Sequence, residues 1–352
     1  MKRSRATFKT PSRKKEHVDL TVKRDVSFRE KRTGFDQWEF VHNALPEIDF
    51  ADISTETIFL SKRLAFPFMI SCMTGGYADA KRINKNLAEV CEENGIAMGV
   101  GSQRQALENT AYHASFSIVR EVATSIPIVG NIGAPEVAKL IDISPVQRMA
   151  DLIRADAFAV HLNPLQELLQ PEGNVNFRGV LGGIEKLVRG LSIPVIVKEI
   201  GAGISKNVAQ RLMNVGVTII DVAGAGGTSW AGVEILRRKE GTNGKQAWQE
   251  FWDWGISTAD ALKQVAALKP SSPALTLIAS GGIVSGLEAA KAIALGADMT
   301  ASARPMLQVL TASGKKGLSI HLEQWMKEFK GAMFLVGAST LRELQHAQIQ
   351  RV

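Results

Sequence analysis

Cysteine is scarce in this sequence: Cys72 and Cys91 are the whole complement of 352 residues. Two thiols cannot build a disulfide framework or a structural zinc site. Long apolar runs are missing too. None approaches the ~18 residues of a membrane helix, and no signal-peptide apolar core follows the basic start. With only 12 prolines and 45% apolar residues, the chain is neither collagen-like nor disordered. The expectation is a soluble, cytoplasmic protein without a membrane partner. The length allows two or three domains, or one α/β barrel of ~250 residues with additions.

Acidic residues are in deficit, and the deficit is local. The net charge is +7, yet residues 1–33 alone carry +8, so the remaining 319 residues sum to −1. Such a basic segment is a nucleic-acid arm, a solvated tail or a clamp for a phosphorylated small molecule. The near-neutral body lacks the basic stripe of nucleic-acid binders, so no nucleic-acid partner is expected.

What is present is a rhythm of eight short, continuous apolar runs. They are FPFMIS (66–71), IAMGV (96–100), IPIVG (126–130), AFAVH (157–161), IPVIVK (193–198), VTIIDV (217–222), LTLIAS (275–280) and ADMTAS (297–302). Continuous apolar runs are what strands buried on both faces require. Helical patterns alternate with them, as in Lys81–Glu93, Ser205–Asn214 with a Ser cap, and Leu287–Leu295. Eight such units predict a (β/α)8 TIM barrel with an N-terminal basic extension. A doubly wound open sheet is the weaker alternative, because no dinucleotide fingerprint follows the first strand. The sixth and seventh runs start 58 residues apart, which makes room for an insertion containing Trp230, Trp248, Trp252 and Trp254. That insertion is either an extra element packed on the rim or a lid or oligomer contact.

The residues closing each run are polar or glycine. In a barrel this is the face where chemistry is done. Gly281-Gly282 after the seventh run and Ala303-Arg304 after the eighth fit a phosphate site made of bare backbone N–H groups and a helix N-terminus. Lys198 ends an otherwise buried run, so its ammonium must meet an anion or be neutral. His161 closes AFAVH, as a satisfied core histidine or a functional one. Glu167 follows with Gln166, and a lone carboxylate supports Mg²⁺ only if a phosphate supplies other ligands. Cys72 reads as a small packing residue.

Over residues 11–345 the chain resembles the type 2, FMN-dependent isopentenyl-diphosphate isomerase family. The resemblance rests on RKKEH (13–17), GFDQWEFVHNALPEID (34–49), CMTGG (72–76), GSQR (101–104), HLNPLQE (161–167), QPEG (170–173) and VIVKEIGAGIS (195–205). It continues through AGAGGTSW (223–230), WGIST (254–258), ASGGI (279–283) and ALGAD to SARPML (294–307). It implies isomerisation of isopentenyl diphosphate to dimethylallyl diphosphate with reduced FMN, Mg²⁺, and NAD(P)H as reductant, in a homotetramer or homo-octamer. Position by position, it puts FMN on Met73, Thr74, Gly75, Ser102, Asn131, Lys198, Thr228, Gly281, Gly282, Ile283, Ala303 and Arg304. Diphosphate contacts fall on Arg13, Lys14, His17, Arg104, Asn163 and Gln166. Glu167 is expected to hold Mg²⁺, and His161, Gln166 and Lys198 to serve catalysis. The expected organisation is residues 1–50 as an extension contributing to diphosphate binding, 51–345 as the FMN-binding barrel, and 346–352 as a tail. Nothing is assigned to the first twelve residues.

Two other flavin- or nucleotide-using barrel classes fit less well. A 2-hydroxy-acid oxidase needs a His–Arg pair soon after the sixth strand, and an inosinate dehydrogenase needs a nucleophilic Cys in the corresponding loop. The stretch DVAGAGGTSWAG (221–232) offers neither group of the pair and no cysteine.

Overall fold

A computed structural model describes residues 9–238 and 248–352. Three short strands precede the main sheet: β1 (Trp38–Phe40), β2 (Thr57–Phe59) and β3 (Lys62–Leu64). All eight apolar runs then form strands: β4 (Phe68–Ile70), β5 (Ala97–Gly99), β6 (Ile128–Gly133), β7 (Ala157–His161), β8 (Val195–Lys198), β9 (Ile219–Asp221), β10 (Thr276–Ala279) and β11 (Met299–Ser302). β4 to β11 pair in sequence order, every pair parallel, and β11 returns to β4 through Ser302 opposite Ile70. The barrel is therefore closed. The open sheet is excluded, and with it the exposed edges such a sheet would present.

Helices cover the outside for the reason the periodicity gave. In Ala80–Glu93 the residues Leu87, Val90 and Cys91 are buried on one face. Ser205 caps Lys206–Asn214 by accepting from the Val208 N–H at 3.4 Å. Inside the barrel the fill is mostly small or β-branched: Ala97, Val129, Ala157, Ala159, Ile196, Ile219 and Ile278. Phe59 and Leu64, from the antiparallel β2–β3 hairpin, complete this interior cluster. Strand register fixes the opposite, carboxy-terminal rim. Gly133 stands opposite His161, His161 opposite Lys198, and Lys198 opposite Asp221, so four neighbouring strands end at one level.

The basic extension is folded over that rim. Helix Lys9–Lys23 is followed by a segment whose Ser27 bridges Thr228 of the loop after β9. Three consecutive N–H groups, of Arg29, Glu30 and Lys31, donate to one Asp253 carboxylate oxygen at 2.9, 3.2 and 3.2 Å. The tryptophan insertion supplies this hold. Trp252 is buried, donates its Nε1–H to the Ser27 carbonyl at 2.8 Å, and carries the Arg29 guanidinium 3.8 Å from its ring centroid. Trp254, by contrast, is exposed. Segment 346–352 contributes β12 (Ile349–Arg351), antiparallel to β1.

Beneath the barrel, the nearly buried Arg120 donates to the carbonyls of Ala123, Ile126 and Arg154 and to Asp156 at 2.5 Å. Asp156 also accepts from Lys62 of β3 at 2.8 Å and from the Ile128 N–H at the start of β6. One guanidinium thus ties the hairpin, β6 and β7 together. Arg120→Met should leave three carbonyls and a carboxylate short of donors and lower stability by about 2–4 kcal/mol, read by urea titration, without loss of any ligand bound at the far rim.

Candidate active site

The loops after β9 and β10 meet backbone to backbone. Gly281 has φ +101°, and a Cβ there would lie 2.1 Å from the Gly224 carbonyl oxygen. A Cβ on Gly227 would lie 2.5 Å from Gly282. Only glycine permits this approach and this φ. Beside the two loops starts the helical stretch Arg304–Leu335, which is broken by a kink at Gly314 (φ +66°) and whose N-terminus receives no side-chain cap. Bare N–H groups at a helix N-terminus next to a glycine cup form a receptor for a phosphate-sized anion.

The cup is one end of a cavity of about 730 Å³ that extends under the amino-terminal helix. That volume lies in the range of cofactor and small-molecule sites. At mid-cavity stands Lys198, only 6% exposed. Its Nζ donates to the Glu199 carbonyl at 2.6 Å and lies 3.4 Å from Asp221. Asp221 is fully buried and is held in place by Ser280 Oγ and the Ala223 N–H. Next to it His161 gives its Nδ1 proton to Asn131 Oδ1 at 2.9 Å, which leaves Nε2 as an acceptor. Burial, with Lys198 and Lys14 nearby, pushes the His161 pKa down to about 3. His161 is therefore neutral at physiological pH.

A second polar group surrounds Gln166. Its Nε2 donates to Glu234 at 3.1 Å, and its Oε1 accepts from Asn163 at 3.0 Å. Asn163 shares that Nδ2 with Glu167 at 3.1 Å, and Glu167 also accepts from the Asn174 N–H at 2.6 Å. Glu234 has no exposed surface and also contacts His17 at 2.9 Å and Arg237 at 2.5 Å. Burial alone would raise its pKa, but His17, Arg237 and Gln166 outweigh burial and hold it below the usual carboxylate value. No group of three or more His, Cys, Asp or Glu gathers for a metal among the described residues.

The cations sit at the outer end. Lys14 donates to the carbonyls of Gly75 at 2.9 Å and Ser102 at 2.6 Å. Burial, then repulsion from Arg13 and Arg104, lowers its pKa to about 7. Arg13 lies 3.7 Å from Glu172, and Arg104 pairs with Glu108 and Glu136 on the rim.

Of the residues expected from sequence, the cavity wall brings together Arg13, Lys14, His17, Met73, Gly75, Ser102, Arg104, Asn131, His161, Asn163, Gln166, Glu167, Lys198, Thr228, Gly281, Gly282, Ala303 and Arg304. Thr74 and Ile283 are set behind it: the Thr74 hydroxyl bonds Asn84, and the Ile283 carbonyl accepts from Ser302. Arg304 reaches the wall, but its guanidinium turns to the strap, donating to Thr21 O, Ser27 Oγ and Arg24 O. Sequence reasoning missed Asp221 and Glu234. Each left a signal, a carboxylate inside an apolar stretch, IID and AGVEIL.

A family model described as FMN-dependent dehydrogenase matches residues 6–122 and 173–351. A mandelate oxidase of known structure superposes with TM-score 0.66 at 19% identity, covering 96% of this chain and 94% of that one, a likeness of fold. Fold, glycine cup and family match define an FMN-dependent (β/α)8-barrel enzyme. The unmatched stretch, 123–172, holds Asn131, His161, Asn163, Gln166 and Glu167. Across its whole length the chain is 47% identical to the isopentenyl-diphosphate delta-isomerase of Chlorobaculum parvum, covering 99% of that protein. It is 44% identical to that of Pseudescherichia vulneris, with 97% and 96% covered. The chain belongs to the type 2 isopentenyl-diphosphate delta-isomerase family and is an isomerase.

The cup generates a prediction. Gly281→Ala forces a left-handed alanine into a carbonyl, so the loops must part. The purified variant should carry little FMN, read as visible flavin absorbance per mole of protein.

Proposed function

We propose that this enzyme converts isopentenyl diphosphate to dimethylallyl diphosphate, a 1,3-allylic proton shift, using reduced FMN, Mg²⁺ and NAD(P)H as reductant. One observation carries the reading: the folded extension brings Arg13, Lys14 and His17 into the same cavity as Lys198, His161 and the glycine cup. A cavity with a flavin cup at one end and mobile-charge cations at the other suits a cofactor plus a diphosphate. The fit to FMN rests on the close-packed glycines, the uncapped helix N-terminus and the buried Lys198 in the cavity wall. When bound and reduced, FMN supplies an electron-rich ring against which a tertiary carbocation is stabilised.

In this reading the chain's own groups divide the work. Gly281, Gly282 and the N-terminus at Ala303 hold the cofactor phosphate, and Lys198 offsets negative charge on the reduced ring. Arg13, Lys14 and Arg104 hold the diphosphate by charge-assisted hydrogen bonds. His17 and Asn163 position Gln166, directly or through Glu234, and Gln166 orients the hydrocarbon end and its protons. Neutral His161 accepts at Nε2 without adding positive charge beside a cation. Glu167 would hold a Mg²⁺, which would supply positive charge beside the diphosphate. The loop after β9 has no His–Arg pair, which speaks against 2-hydroxy-acid oxidation. No helix among the described residues is long and apolar enough to cross a membrane. The reading places the enzyme in the cytoplasm as a homotetramer or homo-octamer, with the extension acting as part of the diphosphate site.

An anaerobic assay tests it: isopentenyl diphosphate with FMN, Mg²⁺ and NAD(P)H should yield dimethylallyl diphosphate without stoichiometric NAD(P)H consumption. No product, or one NAD(P)H consumed per turnover, overturns the reading. Glu167→Gln keeps the side chain's size but loses the hard anionic oxygen, so the Mg²⁺ titration of activity should move to about tenfold higher concentration. Lys14 generates a pH effect. Its pKa of about 7 in the free enzyme leaves it largely neutral at pH ~8, and a bound diphosphate raises that pKa. Calorimetry in buffers of different ionisation enthalpy should therefore show proton uptake on binding at pH ~8, where the diphosphate is already fully ionised, and Lys14→Met should abolish that uptake.

A further inference from the structure

Two buried glutamines flank Arg104, and the fold treats them oppositely. Gln103, fully buried, has both ends of its amide satisfied: Nε2 donates to the Met149 carbonyl at 2.9 Å, and Oε1 accepts from the Asn131 N–H at 3.2 Å. Gln105, 1% exposed, has neither end satisfied. It lines the cavity, and its Oε1 and the Lys14 Nζ each lie 3.0 Å from the point where a Gly76 Cβ would sit, so the two groups are neighbours. Tyr77, which also lines the cavity and is 5% exposed, has an unpartnered hydroxyl, and the Asn163 side-chain carbonyl oxygen is unpartnered too.

Leaving a buried amide unpaired is costly, and native folds rarely do it without a ligand to complete the bonds. Half of the orphaned side-chain atoms among the described residues belong to these three residues lining the one cavity. From this clustering the geometry points to Gln105 as a specificity-determining residue of the diphosphate site, its Nε2 donating to a phosphate oxygen beside Lys14. The inference rests on the diphosphate reading of the cavity given above. The choice of amide has a chemical reason. Arg13, Lys14 and Arg104 already supply positive charge there. An allylic diphosphate with more of its charge neutralised becomes a better leaving group, so a neutral donor grips the oxygen while adding less to that tendency than a further cation would.

The test uses the FMN-loaded full-length enzyme and two variants, Gln105→Met and Gln105→Glu. Methionine keeps length and volume but removes both polar ends. For Gln105→Met the KM for isopentenyl diphosphate and the Kd for inorganic pyrophosphate should each rise about tenfold, with kcat and FMN affinity within about twofold of wild type. Glutamate, an acceptor facing an anion, should weaken pyrophosphate by more than methionine does. The metal-free, ligand-free Gln105→Met protein should melt no lower than wild type, because an unsatisfied amide has been replaced by an apolar group. A structural glutamine would instead lower the melting temperature and leave the KM alone.

Unchanged pyrophosphate and substrate binding in Gln105→Met overturns the proposal. A loss of FMN affinity with pyrophosphate binding intact also overturns it, and places the amide against the cofactor. If wild type itself binds no pyrophosphate and makes no dimethylallyl diphosphate, it is the underlying functional reading that fails, and the two failures are told apart by that control.

Discussion

A carboxylate with no surface in contact with water must find partners, and Glu234 finds them in three parts of the chain. His17 comes from the basic extension, Gln166 from the short helix Pro164–Leu169 after β7, and Arg237 from its own helix. Removing a buried charge's partner costs several kcal/mol, so each of these groups is held where Glu234 needs it. The consequences spread outward. Once Gln166 is fixed, Asn163 is fixed by it, and Glu167 by Asn163. Once His17 is fixed, helix Lys9–Lys23 lies over the rim, and Arg13 and Lys14 enter the cavity with it. One desolvated acid thus sets the relation between a flexible-looking basic segment and a rigid barrel.

The barrel contributes the opposite kind of constraint, close approach without side chains. Gly224, Gly227, Gly281 and Gly282 let two loops touch through their backbones, while strand register sets His161, Lys198 and Asp221 at one height. The cavity is therefore asymmetric. Its cup end is preorganised by covalent geometry, which resists change, and its outer end by ion pairs and hydrogen bonds, which can exchange partners. Arg104, shared between Glu108 and Glu136, and Arg13, 3.7 Å from Glu172, are cations already paired with carboxylates that an arriving anion can displace.

Much of this was legible beforehand. The eight strands were, because burial on both faces leaves a short, mainly apolar run, and each observed strand falls on its run, with only β6 extending past its end. Strand-end residues such as His161 and Lys198 were legible because a polar group closing an apolar run has few structural uses. Arg304 was harder to place. Its position after β11 says that it is at the mouth, but not that its guanidinium turns away to serve the carbonyls of Thr21 and Arg24. Nor could sequence distinguish Gln103 from Gln105, since the difference lies in what tertiary structure puts within 3.5 Å. Glu234 and Asp221 fall between: the anomaly was visible as an acid in an apolar stretch, but the partners that tie each acid to the site, Gln166 and His17 for one and Lys198 for the other, are more than 20 residues away in sequence.

The pairing of β1 with β12 bears on how the molecule is made. Trp38 stands opposite Arg351 and Phe40 opposite Ile349, a contact between residues about 310 positions apart, and closure of the barrel by β11 against β4 is almost as long-range. On a ribosome the earlier strands emerge first and wait, since neither seam can be sewn until its distant partner strand has been made. During that interval β4 has a bare edge, and the basic extension lacks both Asp253 and Arg304 as anchors. The cavity thus forms late, assembled from segments far apart in sequence once the barrel has closed.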